Sequence, residues 1–189
     1  MIKIAIINGS TRPGGNGSAV AQWVMAGAQQ RDDADYQLLH VSDFELPVLD
    51  EPMPPAFGQY SNAHTKAWSA AIATFDGFVF VTPEYNHSTS GALKNALDYL
   101  YNEWVNKAAG FVSYGSMGGV RAVEHLRGIM AELQIADVRA QVTLSLHTDF
   151  ENYRTFVPAA RHDASLDAMF GQVVAWSRAL APLRAESAP

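Results

Sequence analysis

The sequence predicts an α/β fold in which helices cover both faces of a doubly wound parallel sheet. Short apolar runs rich in β-branched and aromatic residues recur at 2–7, 77–82 and 108–114. Each run is followed by a turn containing glycine or proline, and then by a stretch with helical periodicity. Strands that alternate with helices in this way form parallel sheets, because the helix returns the chain to the edge where the next strand begins.

The first half of the chain supplies two strands and one helix. Residues 2–7 (IKIAII) are typical of a strand buried on both faces. A helix is predicted over 18–30 and a second strand over 36–41 (YQLLHV). Residues 42–62 contain four of the nine prolines and therefore predict a long surface loop. A loop of that length in a compact domain usually serves a function or an interface.

The second half continues the alternation and sets the strand order. The predicted elements are a helix over 61–74, a strong strand over 77–82 (GFVFVT), a helix over 91–104, a strand over 108–114, a helix over 120–133, a strand over 138–146, a loop at 157–161 and a closing amphipathic helix over 166–183. About five strands of this length match the flavodoxin-like order 2-1-3-4-5. No repeat or linker interrupts the pattern, so residues 1–189 are predicted to form one domain.

Composition excludes several classes of function. The chain has 189 residues, 48% of them hydrophobic and 17% charged, which is the profile of a folded globular protein. Its net charge of −6, without long charged runs, argues against a nucleic-acid partner. The absence of cysteine excludes disulfides, thiolate metal sites and thiol catalysis. The chain opens directly on a strand and has no apolar run near the roughly 20 residues that span a bilayer, so we expect a cytoplasmic protein with no membrane partner.

Three polar loops are expected to meet at one edge of the sheet. In an open sheet of this order, ligands bind beyond the carboxyl ends of strands 1 and 3, where the strand order reverses. The loops at 9–18, 82–91 and 114–119 follow strands 1, 3 and 4. Their position alone therefore predicts a ligand site.

The first loop, 9–18 (GSTRPGGNGS), suits a phosphate monoester. It combines hydroxyls, backbone amides and the guanidinium of Arg12 with the N-terminus of the following helix. It lacks the lysine of a P-loop, and its glycines do not have the G-x-G-x-x-G spacing of a Rossmann dinucleotide site. The alternative is a flexible turn in which Ser18 is a plain helix N-cap.

The second loop, 82–91 (TPEYNHSTSG), suits a flat heterocycle. Tyr85 is an aromatic surface beside groups that form hydrogen bonds, the usual composition of a ligand site. The alternative is a turn with an exposed tyrosine, followed by a helix capped by Ser90. His87 has no second histidine or carboxylate at ligand spacing, so we expect neither metal binding nor base catalysis from it.

The third loop, 114–119 (YGSMGG), allows a backbone to approach a ligand closely, although taken alone it indicates little more than a turn. The helix that follows from Val120 offers another N-terminus. Arg121 is within reach of a phosphate, but arginines in such positions are more often solvated helix residues.

Together these loops resemble the NADPH-dependent FMN reductase family, which includes azo-, chromate- and quinone-reducing members. The resemblance rests on GSTR at 9–12, PEYN at 83–86, GALKNALD at 91–98 and GSMGG at 115–119, and it covers roughly residues 2–146. The PEYN loop with its following helix is specific to the family, whereas the GSxR start is less so.

The resemblance implies that the first loop holds the phosphate of FMN. Ser10, Arg12 and Ser18 are its candidate ligands, together with backbone amides and the neighbouring Asn16 and Gly17. The family chemistry resides in the cofactor, so no catalytic acid–base pair is predicted. Arg12 is also a candidate for binding the 2′-phosphate of NADPH.

The other two loops are implied to hold the isoalloxazine ring. Pro83, Glu84, Tyr85 and Asn86 would wrap its edge, largely through backbone groups, and Ser116 and Gly118 would line its other side, as the matching motifs indicate. Amides of the third loop and the following helix N-terminus would stabilise negative charge near N1 and O2 of the flavin.

The implied activity is a ping-pong hydride transfer from NADPH or NADH to FMN, and on to a small-molecule acceptor such as a flavin, quinone, azo compound or metal oxyanion. Family members are commonly homodimers or homotetramers, for which residues 42–62 and the helix after Gly91 are candidate interface elements. A flavodoxin-type electron carrier without a nicotinamide site is the alternative, although carriers usually have a T-x-T-G-x-T-like loop and a more acidic surface. A non-enzymatic interaction module on the same fold is a second alternative.

Overall fold

The computed structural model describes residues 1–186. The main sheet contains five strands: β1 (Lys3–Asn8), β2 (Asp35–His40), β3 (Gly77–Pro83), β4 (Ala108–Gly115) and β5 (Ala136–Ser145). A short hairpin follows it, made of β6 (Phe150–Glu151) and β7 (Thr155–Phe156). The helices are α1 (Gly17–Ala28), α2 (Ala63–Ala73), α3 (Gly91–Asp98), α4 (Val120–Glu132), α5 (Arg161–Ala179) and α6 (Ala181–Glu186).

The strand order of the main sheet is 2-1-3-4-5, and every pair is parallel. The predicted flavodoxin-like fold is therefore confirmed. β1 lies between β2 and β3, so that Asn8 at its carboxyl end faces His40 on one side and Val81 on the other. This is the point at which the order reverses.

The sheet is buried because helices cover both of its faces. All residues of β3 and β4 are buried, which explains their continuous apolar sequences. α1 and α5 pack on one face, where Val24 and Phe170 join the core. α2, α3 and α4 pack on the other face around two tryptophans, Trp68 and Trp104, which are both almost fully buried.

The predicted helix over 91–104 ends early, at Asp98. The following residues form turns, because Tyr99 and Trp104 are fixed by tertiary contacts. Tyr99 donates its hydroxyl to the Asp50 carboxylate of the long loop (2.9 Å), and the Trp104 ring packs edge-on against Trp68 of α2, with ring centres 6.1 Å apart. Packing against the long loop thus overrides helix propensity here.

The long 42–62 segment is largely irregular, as predicted, but it is bounded by two short 3₁₀ turns at Val41–Phe44 and Pro55–Phe57. The closing helix differs more. It begins at Arg161 rather than at residue 166, and it breaks after Ala179 before the proline-containing α6. None of the helices within residues 1–186 has the length and apolarity that a bilayer crossing requires.

Candidate functional site

A cavity of about 630 Å³ opens at the carboxyl edge of the sheet, beyond β1, β3 and β4. Its wall contains residues from the loops after all three strands and from the β6–β7 hairpin. The lining residues are Arg12, Pro13, Gly14, Gly15, Asn16, Pro83, Glu84, Tyr85, Tyr114, Gly115, Leu146, Asn152, Tyr153 and Arg154. The convergence predicted from strand order is therefore found.

The loop after β1, residues 9–16, is held in place by Asn8. The Asn8 side chain accepts a hydrogen bond from the Ser10 amide (3.2 Å) and contacts the His40 ring nitrogen (3.0 Å). The Ser10 hydroxyl lies 3.5 Å from the hydroxyl of Tyr85, which links the first loop to the second. Ser10 is buried, whereas Arg12 is exposed at the cavity wall.

The N-terminus of α1 points unpaired donors toward this loop. The first intrahelical hydrogen bond runs from the Val20 amide to the Asn16 carbonyl, so the amides at 17–19 precede it and lack helical partners. Ser18 is exposed in the first turn and is not the N-cap; that position belongs to Asn16. The Asn16 side chain does not cap the helix but donates to the Tyr153 carbonyl (3.0 Å).

Gly17 allows the loop after β1, residues 9–16, to fold tightly against the sheet. A Cβ at this position would lie 2.7 Å from Ser10 Cβ, 2.8 Å from Asn8 Oδ1 and 3.0 Å from the Tyr114 hydroxyl. No side chain larger than hydrogen fits without movement. This close approach brings the first helical amides beside the cavity wall.

The loop after β3 forms a tight two-residue turn. Tyr85 and Ser88 exchange backbone hydrogen bonds of 2.9 and 3.1 Å. Asn86 and His87 at the tip have φ values of 48° and 74°, the left-handed pair that such a turn requires. Ser90 then caps α3 by accepting from the Leu93 amide (3.1 Å), as the alternative interpretation of this loop had it.

Glu84 and Arg121 form an ion pair at the base of this loop, across from the start of α4. The Glu84 side chain is only 5% exposed, and its backbone amide donates to the Tyr114 carbonyl (2.9 Å). The interpretation of Arg121 as a solvated helix residue is therefore wrong. Its guanidinium neutralises a carboxylate that burial would otherwise leave without a partner.

The loop after β4 turns sharply at two glycines. Gly118 and Gly119 have φ values of 72° and 75°, and the Ser113 hydroxyl donates to the Gly118 carbonyl (2.7 Å). Gly115 belongs to the cavity wall. Ser116 is exposed outside that wall, and Gly118 is buried behind it.

The hydroxyl of Tyr114 is the most informative atom of the wall. It is buried, and it forms no hydrogen bond of standard geometry within residues 1–186, although the Ser10 hydroxyl lies nearby. Burial raises the pKa of Tyr114 well above its ordinary value, so the group stays a neutral hydroxyl. A buried hydroxyl without a partner beside a donor-rich loop fits a ligand that carries hydrogen-bond acceptors, as the phosphate and ribityl chain of FMN do.

Of the predicted site residues, the structure brings Arg12, Asn16, Pro83, Glu84 and Tyr85 into the cavity wall. Ser10 and Gly17 pack immediately behind it, as their contacts above show. Ser18 and Asn86 are exposed outside the wall, as is Ser116, and Gly118 is buried behind the wall.

Sequence reasoning missed the β6–β7 hairpin, whose tip at 152–154 closes one side of the cavity. The signal was present but short: Phe150 and Phe156 flank an asparagine-containing turn. Sequence reasoning also assigned no role to Asn8 or Tyr114, because their contacts depend on strand register.

A sheet of order 2-1-3-4-5, with a polar cavity where the order reverses, defines the flavodoxin-like class of α/β proteins. Within that class the model of the NADPH-dependent FMN reductase family matches residues 2–149, and the chain belongs to this family. It is thus an oxidoreductase that works with FMN and a nicotinamide nucleotide.

Similar proteins agree with this assignment. An NAD(P)H-dependent FMN reductase (ntnL) from Nectria sp is 42% identical over 158 residues, 79% of each chain. An NAD(P)H-dependent FMN reductase (C4B3.06c) from Schizosaccharomyces pombe is 37% identical over 175 residues, 90% of this chain and 88% of the relative. The solved structure of FerB, a flavoenzyme NAD(P)H:(acceptor) oxidoreductase from Paracoccus denitrificans, superposes with a TM-score of 0.74 at 20% identity, covering 94% of this chain and 98% of its own.

Proposed function

We propose that this protein catalyses a ping-pong reduction of a small acceptor by NAD(P)H, with FMN held in the cavity beyond β1, β3 and β4. The observation that carries the proposal is the convergence of three strand-end loops on one cavity whose wall contains the unpartnered hydroxyl of Tyr114. Membership of the reductase family supports it, and the alternative of an electron carrier without a nicotinamide site is not favoured.

The first loop, residues 9–16, is proposed to bind the FMN phosphate together with the start of α1, and it is called the phosphate loop from here on. Ser10 and Arg12 contribute side chains, and the amides at 17–19 contribute donors without helical partners. Ser18 is proposed to bind through its amide and its hydroxyl from the first helical turn. The positive end of the α1 dipole favours the phosphate charge at the same point.

The second and third loops are proposed to hold the ring. Pro83, Glu84 and Tyr85 line the cavity, and Gly115 lies directly beside Glu84, since a Cβ on Gly115 would be 3.1 Å from Glu84 Cβ. Asn86 contributes through the backbone of its left-handed turn. Tyr85 is 37% exposed, which leaves part of its ring free to pack against a planar group.

When bound, FMN accepts hydride equivalents from the nicotinamide and passes electrons to the acceptor. The protein binds, orients and shields these molecules, and the wall needs no acid–base pair. The N-terminus of α4 favours negative charge at the side of the cavity next to Gly115. One open cavity serving the nicotinamide and the acceptor in turn accounts for the ping-pong order.

A quinone is the acceptor class that we propose to test first. A relative from Burkholderia sp, 35% identical over 129 residues (59% of this chain and 70% of the relative), is named 2-hydroxy-1,4-benzoquinone reductase. A flat quinone fits a cavity with an exposed aromatic ring in its wall.

We also propose that the protein is a homo-oligomer that associates through the 42–62 segment. Val48 is 87% exposed and Phe57 is 62% exposed, an apolar surface of the kind that marks an interface. The segment is held against α3, because Asn95 donates to the Pro47 carbonyl and accepts from the Leu49 amide. Sedimentation of a Val48→Glu, Phe57→Glu double variant should show a smaller species than the parent; an unchanged mass would contradict this interface.

Arg12→Ala tests the central proposal. The parent protein should take up FMN with a visible flavin spectrum and oxidise NADPH in the presence of a quinone. The variant should bind FMN about ten-fold or more weakly, because a charge-assisted contact to phosphate is lost. Arg139→Ala, an exposed arginine on β5, is the matched control. A parent protein that acquires no flavin absorption on addition of FMN would refute the proposed function.

A further inference from the structure

The β6–β7 hairpin reaches the cavity from outside the family's common segment. The family model ends at residue 149, and the hairpin begins at Phe150. Its tip residues Asn152, Tyr153 and Arg154 nevertheless belong to the cavity wall. The site of this chain therefore includes an element that the shared family pattern does not describe.

The base of the hairpin is firmly packed. The Phe150 ring lies 5.0 Å from the Phe156 ring and 6.2 Å from the Tyr114 ring. Phe156 in turn meets Trp23 of α1 edge-on, with ring centres 5.8 Å apart. The hairpin is thus anchored to both the sheet and the helix that follows the phosphate loop.

A buried carboxylate fixes the chain on either side of the hairpin. Asp149 is 1% exposed and accepts hydrogen bonds from the Ser145 amide (2.9 Å) and the Thr148 hydroxyl (3.1 Å), and its other oxygen lies 2.8 Å from the His162 ring nitrogen. The amide of Val157 donates to the Asp149 carbonyl (2.9 Å). The entry and exit of the hairpin are therefore joined at one point.

The hairpin tip has a backbone conformation that residues other than glycine rarely adopt. Asn152 and Tyr153 have φ values of 50° and 60°. For a bulky residue such as tyrosine this conformation is uncommon, and it persists where the surroundings impose it. Asn16 of the phosphate loop supplies one constraint by donating to the Tyr153 carbonyl (3.0 Å). The tip and the phosphate loop are thereby tied together.

The charge at this junction is positive and unpaired. Arg12 and Arg154 both line the cavity, and neither has a carboxylate within ion-pair distance among residues 1–186. Glu84 is the acidic side chain of the wall, and its charge is neutralised by Arg121. The buried hydroxyl of Tyr114 is a further donor without a partner in the same wall. One anion with several acceptor oxygens would pair with both guanidinium groups and with this hydroxyl.

We propose that Arg154 joins Arg12 to form a two-guanidinium site for a phosphate monoester, at the junction where the Asn16–Tyr153 hydrogen bond ties the hairpin to the phosphate loop. A guanidinium group binds two phosphate oxygens at once through parallel N–H donors, so two such groups suit a phosphate monoester. The inference rests on the proposed function, because both of its ligands carry such a group: FMN at the 5′ position and NADPH at the 2′ position of its adenosine. Arg154 is a binding residue that lies outside the family motif.

The test compares ligands with and without the phosphate in the parent protein and in Arg154→Gln. FMN and riboflavin are titrated by flavin fluorescence, and adenosine 2′,5′-bisphosphate and AMP by calorimetry. We expect Arg154→Gln to weaken at least one phosphorylated ligand about ten-fold, as for loss of a charged hydrogen bond, while riboflavin binding is unchanged. Arg154→Lys should recover part of the loss, because it keeps the charge but not the paired donors.

The pattern of losses identifies the source of the phosphate. Weaker binding of FMN with unchanged binding of adenosine 2′,5′-bisphosphate indicates that Arg154 binds the flavin phosphate. The reverse indicates that it binds the 2′-phosphate of NADPH. Weaker binding of both ligands indicates a shared site. Arg139→Gln is the control for overall charge, and thermal melting of each variant checks that the fold is retained. Parent-like binding of both phosphorylated ligands by Arg154→Gln would overturn the inference but leave the proposed function intact, whereas a parent protein that fails to bind FMN overturns both.

Discussion

Glu84 and Arg121 form an ion pair that joins the loop after β3 to the first turn of α4. The carboxylate is buried, and its second oxygen has no hydrogen-bond partner among the described residues. The pair therefore neutralises a charge that the loop cannot expose to water. It fixes the position of the loop from which Tyr85 projects.

Removing one partner of this pair is expected to be costly. Arg121→Met leaves the Glu84 carboxylate buried and unpaired, which should lower the free energy of unfolding by about 2–4 kcal/mol. Glu84→Gln, Arg121→Met should cost less than the sum of the two single changes, because the double variant buries no uncompensated charge. Urea denaturation of the four proteins measures the coupling; additive losses would show that the two side chains act independently.

Gly17→Ala should disturb the phosphate loop. The new methyl group would lie within 3 Å of both Ser10 and Asn8, so the loop must move. We expect a loss of about 1–3 kcal/mol in stability, together with weaker FMN binding. Gly128→Ala in α4 is the control, since nothing lies within 4 Å of its Cβ position and alanine should stabilise the helix by about 0.5–1 kcal/mol. Equal effects of the two changes on FMN affinity would contradict a special role for Gly17.

Substitutions of Asn86 distinguish backbone from side-chain contributions of the loop after β3. Asn86→Gly keeps access to the left-handed conformation (φ 48°) and should bind FMN nearly as well as the parent. Asn86→Val opposes that conformation by about 1–2 kcal/mol, so the turn should distort and FMN binding should weaken. Titration of FMN against both variants distinguishes the two contributions. A large loss with glycine would mean that the Asn86 amide itself contacts the cofactor.

Lys107 should make stability rise with pH at alkaline values. Burial lowers its pKa from 10.5 to about 8, and its ammonium donates to the Ile72 carbonyl at the end of α2 (3.0 Å). Between about pH 8 and 10.5 the unfolded chain keeps this proton while the native state has lost it, so the free energy of unfolding increases with pH. The full contribution is on the order of 3 kcal/mol.

Lys107→Met should remove that slope and stabilise the protein at pH 7. Lys66→Met, at an exposed position on α2, should leave the slope unchanged. Chemical denaturation at pH 7, 8, 9 and 10 provides the measurement. Identical pH slopes for the parent and Lys107→Met would show that Lys107 keeps its ordinary pKa in the folded protein.

Asp149 should determine the pH below which the β6–β7 hairpin loses its stability. Burial alone raises its pKa, but hydrogen bonds from the Ser145 amide, His162 and Thr148 outweigh burial, and the pKa lies below its ordinary value. A depressed carboxylate pKa stabilises the fold above its unfolded value of about 3.9, and that stability is lost as the pH falls through the folded pKa. The protection of the amides at 150–156 against hydrogen exchange, relative to an unfolded chain at the same pH, should therefore fall below about pH 4.

Asp149→Asn should show fast exchange of the hairpin already at neutral pH and should lose about 2–3 kcal/mol of stability. Asp32→Asn, at an exposed carboxylate outside the hairpin, is the control. If the hairpin amides of Asp149→Asn stay as protected as those of the parent, the carboxylate does not anchor the hairpin.

The sheet and its order could be predicted because their determinants are local and strong. Continuous apolar runs such as 77–82 mark strands that are buried on both faces, and their alternation with helices leaves few topologies. The ends of helices were less predictable. The predicted helix over 91–104 stops at Asp98 because Tyr99 is hydrogen-bonded to Asp50 and Trp104 packs against Trp68, two partners that are distant in sequence.

The candidate site was likewise only partly predictable from the sequence. Residues of the strand-end loops were identified, since strand order brings those loops together. The ion pair of Glu84 with Arg121 and the wall position of Arg154 were not, because they join segments 37 and more residues apart in ways that no short motif records. A single arginine in a helix or in a short turn does not reveal its partner.

The neighbouring strands β1 and β3 send their chains to opposite faces of the sheet, β1 to α1 and β3 to α3. The cleft between them thus comes from chain connectivity, not from any gap left in the packed interior. Exposed loop residues at this edge can therefore change with little effect on the core, whereas the 150–156 hairpin contributes Phe150 to that core. Substrate preference and the stability of the fold can therefore evolve separately in a domain of this size.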